Sequence, residues 1–291
     1  MQRIDFRDQI SRNKRNSFFL ISLIFLVFVL FGYVISLAFE PGFFFIIMII
    51  SIVFSLSYIL ISYYNSGKIA VASVGAHKVS QEKYKDYYRL VESLTIASGL
   101  PMPELYVMNS PQINAFASGR DPKHAVVCIT TGAFEKLDRR EIEGVLAHEL
   151  GHIASYDMRY MTIATVMVGM IAIISQIFLR SLWFKGGNND RNNAVFIIIG
   201  IAMAILAPIV VQLVQFAISR RREYSADATA IKFTRYPDGL IRALTKIKNE
   251  NAESEKKVSK AIAPLFFANP FKNLGSTHPP IEKRIEILKR M

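Results

Sequence analysis

The stretch Arg139-Arg140-Glu141-Ile142-Glu143-Gly144-Val145-Leu146-Ala147-His148-Glu149-Leu150-Gly151-His152-Ile153-Ala154 has the marks of an amphipathic helix that presents two histidines on one face. Asp138 before it and Glu141 three residues later form a capping-box pattern, which satisfies backbone N–H groups that a helix start leaves bare. Ile142, Val145, Leu146 and Leu150 recur at helical spacing and give one apolar stripe. His148 and His152 stand four residues apart, one turn above each other, so both imidazoles can reach a single metal ion. Glu149 lies beside the pair, placed to exchange a proton with a water on that metal. Chance alone writes His-Glu-x-x-His into about one chain in a hundred. Two surface histidines near an unrelated glutamate are therefore the plain alternative, and a third ligand has to decide.

Arg222-Glu223-Tyr224-Ser225-Ala226-Asp227 supplies the candidate. Glu223 and Asp227 are again four apart on one helical face, where one can bind metal while the other orients a ligand histidine. Their alternative is a solvated acidic face after the basic Arg220-Arg221-Arg222.

The surroundings of these two segments are membrane-like. The 291 residues are 52% hydrophobic and include 21 phenylalanines, with a mean hydropathy of +0.28, too apolar for one soluble core. No charge falls between Arg15 and Glu40, nor between Glu40 and Lys68 beyond the break at Pro41-Gly42. Tyr160 to Leu179 and Asn192 to Ser219 are likewise uncharged. Each run has the roughly 20 residues that cross a bilayer, so four transmembrane helices are expected. Pro208 in the fourth is tolerable because neighbouring helices can satisfy the carbonyl it frees. The first run is too long for a secretory signal and no small-x-small site follows it, so it is expected to stay attached. Cys128 is the only cysteine, which rules out an intrachain disulfide; in the apolar run Ala125 to Ile129 it reads as core packing.

Four spans place both termini on one side, and the basic residues name the side. Lys and Arg number five in residues 1–16, eleven in 68–159 and sixteen in 220–291, against none in 40–42 and three in 180–193. The tails and the large loop are thus expected in the cytoplasm. A net charge of +12 could serve nucleic acid, but the clusters sit at membrane ends, where anionic lipid is the natural counterion, and no nucleic-acid motif is present.

In the first cytoplasmic part, Tyr84, Tyr87, Tyr88, Val91 and Leu94 predict a helix over Ser80–Ser98, stopped by Gly99 and Pro101. Glu104–Met108, Ile113–Ala117 and Ala125–Thr130 read as strands separated by turn compositions, and predict a small antiparallel sheet. In the second part a helix is expected to run to about Asn249, followed by a charged linker, Glu250–Lys260, and a final helix from near Pro279. The organisation is a tail and membrane hairpin (1–67), a cytosolic part with the histidine helix (68–159), a second hairpin (160–219) and a second cytosolic part (220–291). His152 precedes Tyr160 by eight residues and Glu223 follows Ser219 by four. Along continuous helices that is about 12 Å and about 6 Å, so a packed antiparallel pair would join both halves just above the membrane. Two histidines, a glutamate and a water would hold a tetrahedral Zn²⁺ with one exchangeable position, which is hydrolytic chemistry.

In this order the segments resemble the HtpX-like membrane zinc metalloproteases, relatives of the type I CAAX prenyl proteases. The likeness covers nearly the whole chain: two N-terminal spans, His148-Glu149-Leu150-Gly151-His152, a hydrophobic hairpin, Glu223-Tyr224-Ser225-Ala226-Asp227 and Ser276-Thr277-His278-Pro279-Pro280. It implies a mainly α-helical multi-pass membrane protein with a cytosolic zincin-like α+β domain and one Zn²⁺ per chain. It also implies Glu223 as the third ligand, Asp227 as the partner of His148, Glu149 as the catalytic acid–base, and His278 as a second catalytic group that can donate to an oxyanion. Asn114, Ala115 and Phe116 would belong to an edge strand that pairs with an extended substrate, with Arg284 another cleft residue. His77 and His124 match no motif position. The family role is endoproteolysis of unfolded or misfolded membrane proteins, in quality control at a bacterial cytoplasmic membrane. Four spans are too few for the chamber of the prenyl-protease branch, which counts against prenylated substrates. Two other readings stay open: a processing protease for one dedicated or lipidated substrate, and a non-catalytic membrane scaffold with structural histidines.

Overall fold

The computed structural model describes residues 6–36, 41–164, 220–250, 266–267 and 279–291. Helix α1 (Phe6–Ser36) and, after a 3-10 turn at Pro41–Phe43, helix α2 (Phe44–Tyr64) form an antiparallel hairpin. Phe28 sets its ring edge-on to Phe54 and Tyr58, with centroids 5.8 and 5.0 Å away. Gly32 lets the helices close up, since a Cβ there would stand 2.0 Å from the Ser51 hydroxyl. The outward faces are not polar: Phe18 is 66% exposed, Phe45 75% and Ile49 62%. Exposed to water, apolar surface costs about 25 cal/mol per Å², a cost that lipid removes. Asp8–Leu30 and Pro41–Tyr64 are two candidate membrane spans of 23 and 24 residues. Each is about 35 Å of helix, enough for a hydrocarbon core of about 30 Å. The expected third and fourth spans lie outside the described residues except for 160–164, which are helical. The linker after Glu250 lies outside them too.

Beyond α2, the short helix α3 (Ser66–Ser73) leads to four strands: β1 (His77–Lys78), β2 (Glu104–Met108), β3 (Ala115–Gly119) and β4 (Ala125–Thr130). Their order is β1-β2-β4-β3. β1 is antiparallel to β2 and β3 to β4, but β2 and β4 run parallel. The expectation of an antiparallel sheet therefore fails at its centre. The segment after β2, which has the composition of a hairpin turn, instead crosses the end of β4. The Thr130 hydroxyl donates to the Gln112 carbonyl at 2.7 Å and the Thr131 hydroxyl to that of Ser110 at 2.9 Å. Gly132 leaves the room, because a Cβ there would meet the Pro111 carbonyl oxygen at 2.2 Å. β3 accordingly starts at Ala115 rather than Ile113 and lies at the sheet edge.

Helix α4 (Lys85–Ser98) buries Tyr87, Leu90, Val91 and Leu94 and ends on left-handed Gly99 (φ 70°); residues 81–84, expected in this helix, form a turn. After α5 (Thr131–Lys136) comes α6 (Arg139–Ala154), with both capping-box bonds between Asp138 and Glu141 present. Helix α6 does not continue into the next hydrophobic run. It stops at a turn, Ser155-Tyr156, with Tyr156 left-handed (φ 59°), and helix resumes at 157. The single helix expected from 220 to 249 is also two, α7 (Arg220–Thr234) and α8 (Asp238–Asn249). Arg235 is left-handed (φ 57°), and Pro237 opposes helix at the residue before it. A last helix, α9 (Ile281–Leu288), closes the described fold.

Helix α6 is buried over most of its length, between α4, α7, α8 and β3. Gly144 allows α8 onto it: an added Cβ would stand 2.6 Å from the Leu240 nitrogen. Gly144→Val should therefore lower stability by about 1–3 kcal/mol or more, read as a reduced Tm in detergent. An unchanged Tm would contradict this packing.

Candidate metal centre

Helix α7 reaches α6 at Gly151, where a Cβ would be 3.1 Å from the Ala226 carbonyl oxygen and 3.3 Å from its Cα. The approach sets Glu223 against the two histidines. His148 Nε2 lies 3.1 Å from His152 Nε2, and these atoms lie 3.7 and 3.5 Å from the Glu223 carboxylate oxygens. All three side chains are buried, and one ligand atom from each falls within a 4.8 Å triangle. Donors about 2.05 Å from a tetrahedral ion are about 3.4 Å apart, so the triangle has the size of a metal site.

The chemistry of the donors agrees. The other nitrogens of both rings face carboxylates: His148 Nδ1 is 2.9 Å from Asp227 Oδ1, and His152 Nδ1 is 3.6 Å from Asp157 Oδ2. With Nδ1 as the donor in each ring, the two Nε2 lone pairs point at each other and at a carboxylate, which is repulsive unless a cation or proton lies between them. Glu149 Oε1, also buried, has no hydrogen-bond partner among the described residues. The space the metal ligands share with Glu149 is a cavity of about 10 Å³, room for one ion or water.

Burial pushes the Glu149 carboxyl up to about 7; Glu223 adds to this, while His152 and the Ala117 N–H oppose it. Burial holds His148 down at about 4 although Asp227 favours its charged form. At His152 burial acts the same way, but it is outweighed by Asp157, Glu223 and Glu149, which raise the ring to about 9.

Arg284 does not line an open cleft. It is 1% exposed and grips Asp227 with two bonds, Nε to Oδ2 at 2.9 Å and an Nη to Oδ1 at 2.6 Å, with another Nη 3.6 Å from Glu223. The Arg284 charge thereby offsets burial of Asp227 and keeps that carboxyl below the usual range. Asn114, Ala115 and Phe116 lie at the sheet edge beside the cavity, and that edge is covered. Phe266 forms an antiparallel bridge with Phe116, and the Phe267 N–H donates to the Ala115 carbonyl at 2.8 Å. The Phe267 ring also packs against His148 at 4.9 Å and under Arg284 at 4.8 Å. His278 lies outside the described residues.

Sequence reasoning missed Asp157, Asn13 and the Phe266–Phe267 cover. Asp157 is five residues past His152, on the far side of a break that the sequence does not announce. Asn13 is one polar residue at the start of a membrane run, with partners more than 140 positions away.

The family model for peptidase family M48 matches residues 81–291. The chain is 42% identical over 295 residues to a protease HtpX homolog of Dictyoglomus thermophilum, covering 100% of this chain and 96% of that relative. Homologs of the same name from Caldanaerobacter subterraneus (41% over 290 residues; 97% and 96% covered) and Tropheryma whipplei (42% over 291 residues; 97% of both) are similar to the same extent. Among solved structures, that of S. mikatae Ste24p shares the fold with a TM-score of 0.50 at 19% identity, covering 96% of this chain and 66% of that one. The resemblance read from the motifs is borne out.

Without metal, His152 carries a proton up to about pH 9, where a metal would need its lone pair. Metal binding at pH 7 should therefore expel the His152 proton and part of the Glu149 proton, between one and two per chain, falling towards none above pH 9, and affinity should drop on acidification. Calorimetric titration in buffers of different ionisation enthalpy measures this. Binding at pH 7 without proton release would contradict it.

Proposed function

The chain belongs to peptidase family M48 and is a membrane metallopeptidase, and on that premise we propose that it is a zinc-dependent endopeptidase acting on membrane or membrane-adjacent proteins at the cytoplasmic face of a bacterial cytoplasmic membrane. The observation that carries this reading is the buried triangle of His148, His152 and Glu223 with Glu149 beside it. Two imidazoles and one carboxylate are a donor set that suits zinc with a position left open. When bound, zinc supplies Lewis acidity that polarises a carbonyl and acidifies a water.

The protein groups do the rest. Glu149, buried beside the triangle, takes a proton from the attacking water and returns it to the leaving amine. Asp227 holds the His148 ring by its Nδ1–H, and Arg284 holds Asp227. An extended peptide pairs with the sheet edge at Asn114 and the first residues of β3, Ala115 and Phe116, in the place that Phe266–Phe267 occupies, and so brings its scissile bond past Glu149. His278 is assigned the oxyanion on the family resemblance. Substrates are unfolded or misfolded membrane proteins, as quality control requires.

The four-span, cytoplasmic-facing topology and the division at 67, 159 and 219 belong to the same reading. Arg120 lies over the Tyr64 ring at 5.0 Å, Arg159 over Tyr63 at 5.4 Å and Lys14 over Tyr156 at 4.4 Å. Such a belt of tyrosines and cations, gathered at the α2 end of the hairpin, suits the cytoplasmic interface.

Glu149→Gln should keep one zinc per chain and lose hydrolysis of an unfolded protein such as casein by about 10²–10⁴-fold, measured on protein purified in detergent. Undiminished hydrolysis would remove Glu149 from the chemistry.

A further inference from the structure

We propose that Asp157 and Asn13 are positioning residues for His152, so that the first membrane span is part of the framework of the metal centre. The inference rests on the reading of His152 as a metal ligand. A ligating histidine needs an acceptor for its second ring nitrogen, which fixes the ring and raises its basicity. His148 has Asp227 for this purpose, at 2.9 Å. For His152 the facing group is Asp157, with Nδ1 and Oδ2 3.6 Å apart. Both atoms are buried and neither has another hydrogen-bond partner among the described residues, so a small movement joins them.

Helix geometry alone would not create this contact. In an unbroken helix a residue five positions on is rotated by about 140° and displaced about 7.5 Å, facing away from His152. The turn at Ser155-Tyr156 brings Asp157 back, and Asn13 secures that turn. One Asn13 amide hydrogen goes to the Ser155 carbonyl at 3.0 Å, where α6 ends, and the other to Asp157 Oδ1 at 2.6 Å. Arg222 Nε lies 3.7 Å from the same oxygen. Asn13 is 4% exposed, on a helix whose buried large apolar residues are Leu20, Ile24 and Phe28. A buried amide there is costly unless both its hydrogens are used, and here they are. The two ligand histidines thus have matched supports: His148–Asp227–Arg284 within the protease part, and His152–Asp157–Asn13 reaching into the membrane hairpin.

The test is zinc affinity of the full chain in detergent, by chelator competition, with the visible absorption of the cobalt-substituted protein as a report on ligand geometry. Asp157→Asn should weaken zinc binding by about 10–100-fold and Asn13→Ala by about tenfold, each altering the cobalt spectrum. Ser17→Ala removes a buried hydroxyl one turn along α1 whose bond among the described residues goes to the Asn13 backbone carbonyl and not to its amide, and should change affinity less than about twofold. Wild-type affinity and spectrum in both the Asp157 and Asn13 variants would overturn the inference, as would equal weakening in Ser17→Ala, which would mark general loosening. His148→Ala separates the two readings. If it loses zinc while the Asp157 and Asn13 variants keep it, only this inference fails; if it binds zinc like the wild type, the metal lies elsewhere and the proposed function fails with it.

Discussion

The approach of α7 to α6 at Gly151 puts an acidic helix face against two histidines in a place that water barely reaches, and much of the structure is arranged around that. Burying ionised groups costs several kcal/mol each after relaxation and is tolerable only with close partners. Around the imidazoles lie four carboxylates, Glu149, Asp157, Glu223 and Asp227, all buried. Among the described residues the guanidiniums that face them are Arg284 and Arg222. Within that set, two positive charges meet four negative, a difference that a divalent cation fills. Until it does, protons on His152 and Glu149 are the available substitutes, in keeping with the upward displacement of both groups. Electrostatic need and ligand geometry therefore point to the same object.

What the sequence made legible was whatever local chemistry encodes. The bounds of α6 follow from a capping box and an apolar stripe, and the structure has the helix at Arg139–Ala154. Glu223 and Asp227 were readable because a four-residue spacing means one face, although spacing alone could not say which carboxylate turns to the metal. The misreadings come from long-range partners. The parallel β2–β4 pair depends on hydroxyls of Thr130 and Thr131 holding a segment some twenty residues earlier, which no turn composition reveals. The break after Ala154 and the split at Arg235 each turn on one left-handed residue. Arg284, read as a cleft residue, lies behind the carboxylates because Asp227 needs a buried counter-charge.

The membrane hairpin is joined to the protease part by more than chain continuity. Besides Asn13, Gln9 accepts a hydrogen bond from Ser225 at 3.0 Å, two residues after Glu223. Both contacts come from the first turns of α1, so the two halves of the metal centre rest on the same short stretch of a membrane helix. The metal-centre residues are thus tied by hydrogen bonds to the hairpin whose outward faces are apolar.

The most direct measurement of the central claim is zinc-edge X-ray absorption on the purified full chain. The account predicts one zinc with two imidazole nitrogens and a carboxylate oxygen at about 2.0–2.2 Å, completed by one light donor. A sulfur shell, a single imidazole, or zinc retained after His148, His152 and Glu223 are replaced together would contradict it.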